Sequence, residues 1–140
     1  MDNTFLILLL GGAVLLAGLT MLAIISRRVV RPQLDIDTYE SHFQTARGHL
    51  SEGNAGRQLA VVHADKLLDR AMKELGFKGD TMGARLKLSR SRFSDINGIW
   101  EAHKLRNRIA HETDVSISHE QAERALEQLR RGLKDLGALK

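Results

Sequence analysis

Arg106, Asn107 and His111 are the side chains of this sequence best suited to chemistry, and their neighbours show why. The stretch from Glu101 to Glu112 reads as the second half of a helix that starts near Ser94. At about 100° per residue, Asn97, Glu101, Lys104, Arg108 and Glu112 fall on one arc, an ordinary solvated face. Gly98, Ala102, Leu105 and Ile109 take one side of the remaining arc, and Ile96, Ile99, Trp100 and Ala110 the other. Arg106 falls between these two apolar groups, with His103, Asn107 and His111 beside it. A guanidinium in that position must be paired or put to use, because a lone buried charge is costly. Its planar fork grips a phosphate or a carboxylate through two parallel bonds. An imidazole nearby titrates close to neutral pH and can move a proton.

Other chemistries find less support. Six histidines invite a metal, yet none forms a ligand set. His111-Glu112 is followed by Thr-Asp-Val and His119-Glu120 by Gln-Ala-Glu, so neither completes HExxH. His103 and His111 share a stripe at i, i+8, too far apart to serve as two ligands alone. His42, His49 and His63 read as surface or satisfied residues. The chain has no Gly-rich phosphate loop, no G-x-S-x-G and no cysteine. Neither a metal nor a cofactor is therefore expected. Trp100, at an inward position, reads as a core or interface aromatic.

The elements that must position Arg106 are helical throughout. A first helix is predicted from about Asp37 to Glu52, where Ile36, Tyr39, Phe43, Ala46 and Leu50 make one apolar stripe. Ser51 to Gly56 is a break with turn chemistry. A second helix covers roughly Ala55 to Leu75, with Val61, Ala64, Leu68, Ala71 and Leu75 inward and Gly76 just past its end. Gly79-Asp80-Thr81 opens a short helix through about Leu88, with Met82, Leu86 and Leu88 facing inward. After the basic connection Ser89 to Phe93, Ser94 is expected to cap the helix that carries Arg106. Ser118 and Gln121 make a capping box for a last helix, whose stripe is Ala122, Ala125, Leu126, Leu129, Leu133 and Leu136. No segment alternates with period two, so no strands are expected. The predicted fold is all-α: an antiparallel bundle of four long helices and one short helix.

Ahead of that bundle, Phe5 to Ile25 is a run of 21 residues interrupted only by Gly11, Gly12, Gly18 and Thr20. At about 1.5 Å per residue it spans roughly 30 Å, the hydrocarbon thickness of a bilayer. The leader carries no positive charge and Ser26-Arg27-Arg28 follows the run, so a transmembrane anchor fits better than a cleaved signal peptide. Residues 1–32 are read as this anchor with its basic juxtamembrane segment, and 33–140 as one helical domain. Arg27, Arg28 and Arg31 behind the span, against Asp2 before it, place the N-terminus outside and the domain in the cytoplasm of a single-pass protein of the cell membrane. Pro32 should end any helix leaving the membrane. The formal charge is +4, but residues 78–108 hold eight Lys/Arg against Asp80, Asp95 and Glu101. A basic stretch of that size suits a polyanion, a solvated surface or anionic lipid.

Arg-Asn, three residues and then His, near the end of a late helix in a small bundle, resembles the signature of the HEPN superfamily. Arg106 matches its arginine, Asn107 the polar residue that often follows, and His111 its histidine. Members pair through this helix so that two motifs share one cleft, which implies a homodimer here. Many are metal-independent RNA endonucleases of toxin–antitoxin and other defence systems; others bind RNA or protein without cutting. The resemblance thus implies catalytic Arg106, Asn107 and His111, with Arg85, Lys87, Arg90, Arg92 and Lys104 as RNA contacts. Thr113 stands where toxins paired with a nucleotidyltransferase carry a tyrosine two residues after the histidine, which argues against that branch. Two functions follow for the membrane-anchored domain. One is a ribonuclease. The other is a non-catalytic interaction or RNA-binding domain, in which Arg106, Asn107 and His111 fix helix register at a dimer seam and the same groove takes RNA or a protein partner.

Overall fold

A computed structural model describes residues 3–26 and 33–140. The described residues form six α-helices, two short 3-10 turns and no strand. They divide into two units, the N-terminal helix and the residues from 33 onward. Asp2, Arg27, Arg28, Arg31 and Pro32, on which the expected orientation and helix end rest, lie outside the described residues.

Helix α1 (Asn3–Ser26) is long and apolar enough to cross a membrane, with a mean hydropathy of 2.5 over Asn3–Ala23. Its polar side chain Thr20 donates to the Ala17 carbonyl at 2.9 Å. That bond satisfies the hydroxyl within the helix itself, as an apolar surrounding requires.

The second unit is a helical bundle made of α2 (Ile36–Gly48), α3 (Gly53–Glu74), α4 (Met82–Leu88), α5 (Ile96–His111) and α6 (His119–Asp135). Helix α3 is its axis and packs against α2, α5 and α6, while α5 also packs along α6. Tyr39 and Phe43 of α2, Val61, Leu68 and Met72 of α3, Leu86 of α4, Ile99 of α5, and Leu129 and Leu133 of α6 are fully buried together. Burying side chains of this size is worth about 1.5–3 kcal/mol each before entropy is counted.

The helix ends follow local chemistry. Asp35 caps α2 by accepting from the Thr38 amide, and Thr81 caps α4 by accepting from the Ala84 amide. Both halves of the expected capping box form at α6: Ser118 Oγ accepts from Gln121 N, and Gln121 Oε1 accepts from Ser118 N. Helix α3 ends as Gly76 predicts. At φ 74° it turns the chain left-handed, so that Gly76 N donates to the Lys73 carbonyl and Phe77 N to that of Met72.

Three expectations are corrected. Asp95, not Ser94, caps α5, accepting from the Gly98 amide, because Ser94 is drawn to Asp135 through both its amide and its hydroxyl at 2.8 Å. Leu88, expected inward, is 69 % exposed, since α4 ends at that residue. Ala110, placed on the apolar arc of α5, is also exposed, although Ile109 beside it packs against the core.

Candidate functional site

Helix α3 carries a carboxylate where its apolar row calls for a hydrocarbon. Asp65 sits four residues after Val61 and three before Leu68, and only 2 % of it is exposed. It survives burial by pairing across to α5. His103 Nδ1 lies 2.9 Å from Asp65 Oδ1, and Arg106 Nε lies 3.5 Å from Asp65 Oδ2. His103 and Arg106 are three residues apart on one helix, so both reach the same carboxylate from one face. Arg106 Nη1 donates to Asn107 Oδ1 at 3.0 Å. Arg106, which the wheel sets between two apolar groups, thus finds its ion-pair partner on α3.

These groups line one wall of a groove of about 560 Å³. A second ion pair lines the same groove, with Asp69 one turn along α3 from Asp65. Arg85 Nε and Nη2 both donate to Asp69 Oδ1, at 2.9 and 2.6 Å, and its Nη1 donates to the Gly79 carbonyl at 2.5 Å. Gly79 can offer that carbonyl because its φ of 134° is open to glycine alone, and a Cβ there would lie 2.7 Å from the Arg85 amide. Lys73 Nζ meets the other oxygen of Asp69 at 2.6 Å. Burial pushes the Asp69 carboxyl up, but the hydrogen bonds and charges of Lys73 and Arg85 outweigh it and hold the group below the ordinary carboxylate range.

With Asp69 paired to Lys73 and Arg85 and Asp65 shared by His103 and Arg106, the lining sets Lys66, Lys73, Arg85 and Arg106 against Asp65, Asp69 and Asp80, a formal excess of one positive charge. Lys66 lines it without a carboxylate partner among the described residues, and Arg106 Nη2 has no hydrogen bond there. Arg106 is thus backed by Asp65 at ion-pair distance, its Nε without a hydrogen bond among the described residues and its side chain 28 % exposed. That is the stance of a group set to take an anion through its free edge. Trp100 and Gly83 complete the lining beside His103, and a Cβ on Gly83 would touch the Trp100 ring at 3.3 Å. Trp100 therefore serves the core and also shows part of its ring to the groove.

The expected site residues separate. Arg106 and Asn107 line the groove together; His111 is exposed on the last turn of α5 and does not line it. Among the expected RNA contacts, Lys87, Arg90, Arg92 and Lys104 are exposed, with the Arg92 guanidinium 5.7 Å from the centre of the Phe77 ring. Arg85 is corrected. It is 95 % buried and spends its guanidinium on Asp69 and Gly79, because its place on the inner side of α4 turns it toward α3. Asp65, Lys66, Asp69 and Lys73 were passed over in the sequence. The signal for Asp65 was its place in the Val61–Leu68 row.

The loop after His111 is fixed from α3. Asn54 donates to the Val115 carbonyl at 3.0 Å and accepts from the Ile117 amide at 2.9 Å, Gln58 also donates to the Val115 carbonyl, and Arg57 donates to that of Ile117 at 2.8 Å. These bonds tie the segment just before α6 to the first turns of α3. No group of three or more His, Cys, Asp or Glu side chains is arranged to hold a metal among the described residues. Comparison with protein-family models, curated proteins and solved structures found no match to the chain.

Proposed function

We propose that the chain is a membrane-anchored, HEPN-like domain directed at RNA. In this reading α1 is the anchor, α2 to α6 form an antiparallel bundle in the cytoplasm, and two copies pair along α5. The observation that carries it is the placement of Arg106, paired with a buried carboxylate and part-exposed at the wall of a groove. Cleavage of RNA without a metal needs a group to take the 2′-hydroxyl proton, a group to protonate the leaving oxygen, and positive charge for the pentacoordinate phosphorus. Arg106 supplies the charge. Asn107 steadies the guanidinium, and the exposed His111 is free to meet a second copy at the end of α5.

The exposure of His111 away from the groove favours a second reading, a domain that binds RNA without cutting it. One experiment separates them. The full chain in detergent is incubated with single-stranded RNA in EDTA, alongside Arg106→Ala and His111→Ala. The first reading expects cleavage by the wild type and a fall of about 100-fold or more in each variant. Retention of intact RNA on the wild-type protein supports the second reading.

A further inference from the structure

The Asp65–His103 contact does more than neutralise a buried charge. Asp65 is acceptor-only, so in the neutral ring Nδ1 carries the hydrogen and Nε2 keeps the lone pair. Nε2 has no hydrogen bond among the described residues and is not sealed from solvent. His103 lines the groove one helical turn from Arg106, with Trp100 set edge-on at 5.9 Å. An oriented base therefore stands beside the group suited to hold a phosphate, within a single copy of the chain.

Resting on the RNA-directed reading above, we infer that His103 is a catalytic residue of this groove and Asp65 its positioning residue. With the scissile phosphate on Arg106, His103 Nε2 takes the proton of the 2′-hydroxyl as that oxygen attacks phosphorus. The bond from phosphorus to the 5′-oxygen breaks, and the leaving oxygen takes a proton from water. The products are a 2′,3′-cyclic phosphate and a 5′-hydroxyl; the imidazolium returns its proton to the hydroxide left behind. Asp65 holds the ring and stabilises its charged form during the step. Such a base is worth about 100-fold or more.

The test is His103→Asn in the full, detergent-solubilised chain, assayed on oligouridylate in EDTA. Asparagine puts an amide nitrogen near the position of Nδ1, so the bond to Asp65 can form, but nothing replaces Nε2. The expected result is unchanged helical content with kcat lowered about 100-fold or more and KM within about threefold. Cleavage by His103→Asn at the wild-type rate overturns the inference while leaving the RNA-directed reading intact. A wild type that neither binds nor cuts RNA overturns that reading and this one with it. A further measurement does not depend on the variant folding. Imidazole nitrogen NMR of the wild type should show His103 as the Nδ1–H tautomer, with its Nε2 signal displaced by a non-cleavable 2′-deoxyuridine hexamer. An undisturbed His103 signal in the presence of bound hexamer also overturns the inference.

Discussion

Arg85→Ala is expected to destabilise the helical unit by about 3–5 kcal/mol, the usual cost of breaking a buried ion pair from one side. The substitution strands Asp69, which keeps Lys73 but loses two hydrogen bonds, and leaves the Gly79 carbonyl without its donor. It also removes the stem that fills the space between α4 and α3. Urea unfolding followed by circular dichroism measures the loss. The pair has an acid signature as well. Asp69 titrates lower in the folded chain than in the unfolded one, so its contribution is complete above the ordinary carboxylate value of about 4. It is lost as pH falls through the depressed folded value. The gap between wild type and Asp69→Asn should therefore be constant near neutrality and narrow in strong acid. A variant as stable as the wild type would show that Arg85 is a surface cation after all.

Asp65→Ala should act on stability and on the groove together. It removes the hydrogen-bond partner of His103 Nδ1 and the carboxylate that Arg106 Nε faces at 3.5 Å, on a residue 98 % buried. The stability cost is expected to be about 2–3 kcal/mol, below that at Arg85, because Arg106 already reaches solvent. The functional cost should be larger. Arg106 would swing free of its backing and His103 would lose its fixed tautomer, so RNA cleavage should fall about 100-fold or more in a chain that still folds. Rates measured well below the unfolding midpoint separate the two effects. Asp65→Asn, which keeps shape and an acceptor, should restore most of the stability and little of the rate.

Local chemistry made much of this legible. The capping box at Ser118 and the glycine stop at Gly76 each depend on residues within a few positions, and both formed as read. The apolar rows of α2, α3 and α6 follow from period alone. What escaped depends on partners far along the chain. Ser94 looked like a cap until Asp135, 41 residues later, claimed it. Arg85 read as an RNA contact because its partner Asp69 lies 16 residues upstream on another helix. The wheel of α5 showed that Arg106 needed a partner but not where it was, and the partner proved to be a carboxylate hidden in the apolar row of α3. A polar residue at an inward position of one helix, facing a stranded charge on another, is the pattern that would have joined them.

The most direct measurement is the affinity of the full chain for a fluorescent 2′-deoxyuridine hexamer, followed by anisotropy, with Arg106→Ala beside the wild type. A guanidinium gripping a phosphate contributes about 1.5–3 kcal/mol. The wild type should therefore bind saturably and more weakly as salt rises, and the variant should lose about tenfold or more in affinity. Equal affinity of the two proteins, or no saturable binding by the wild type, would contradict the placement of a phosphodiester on Arg106.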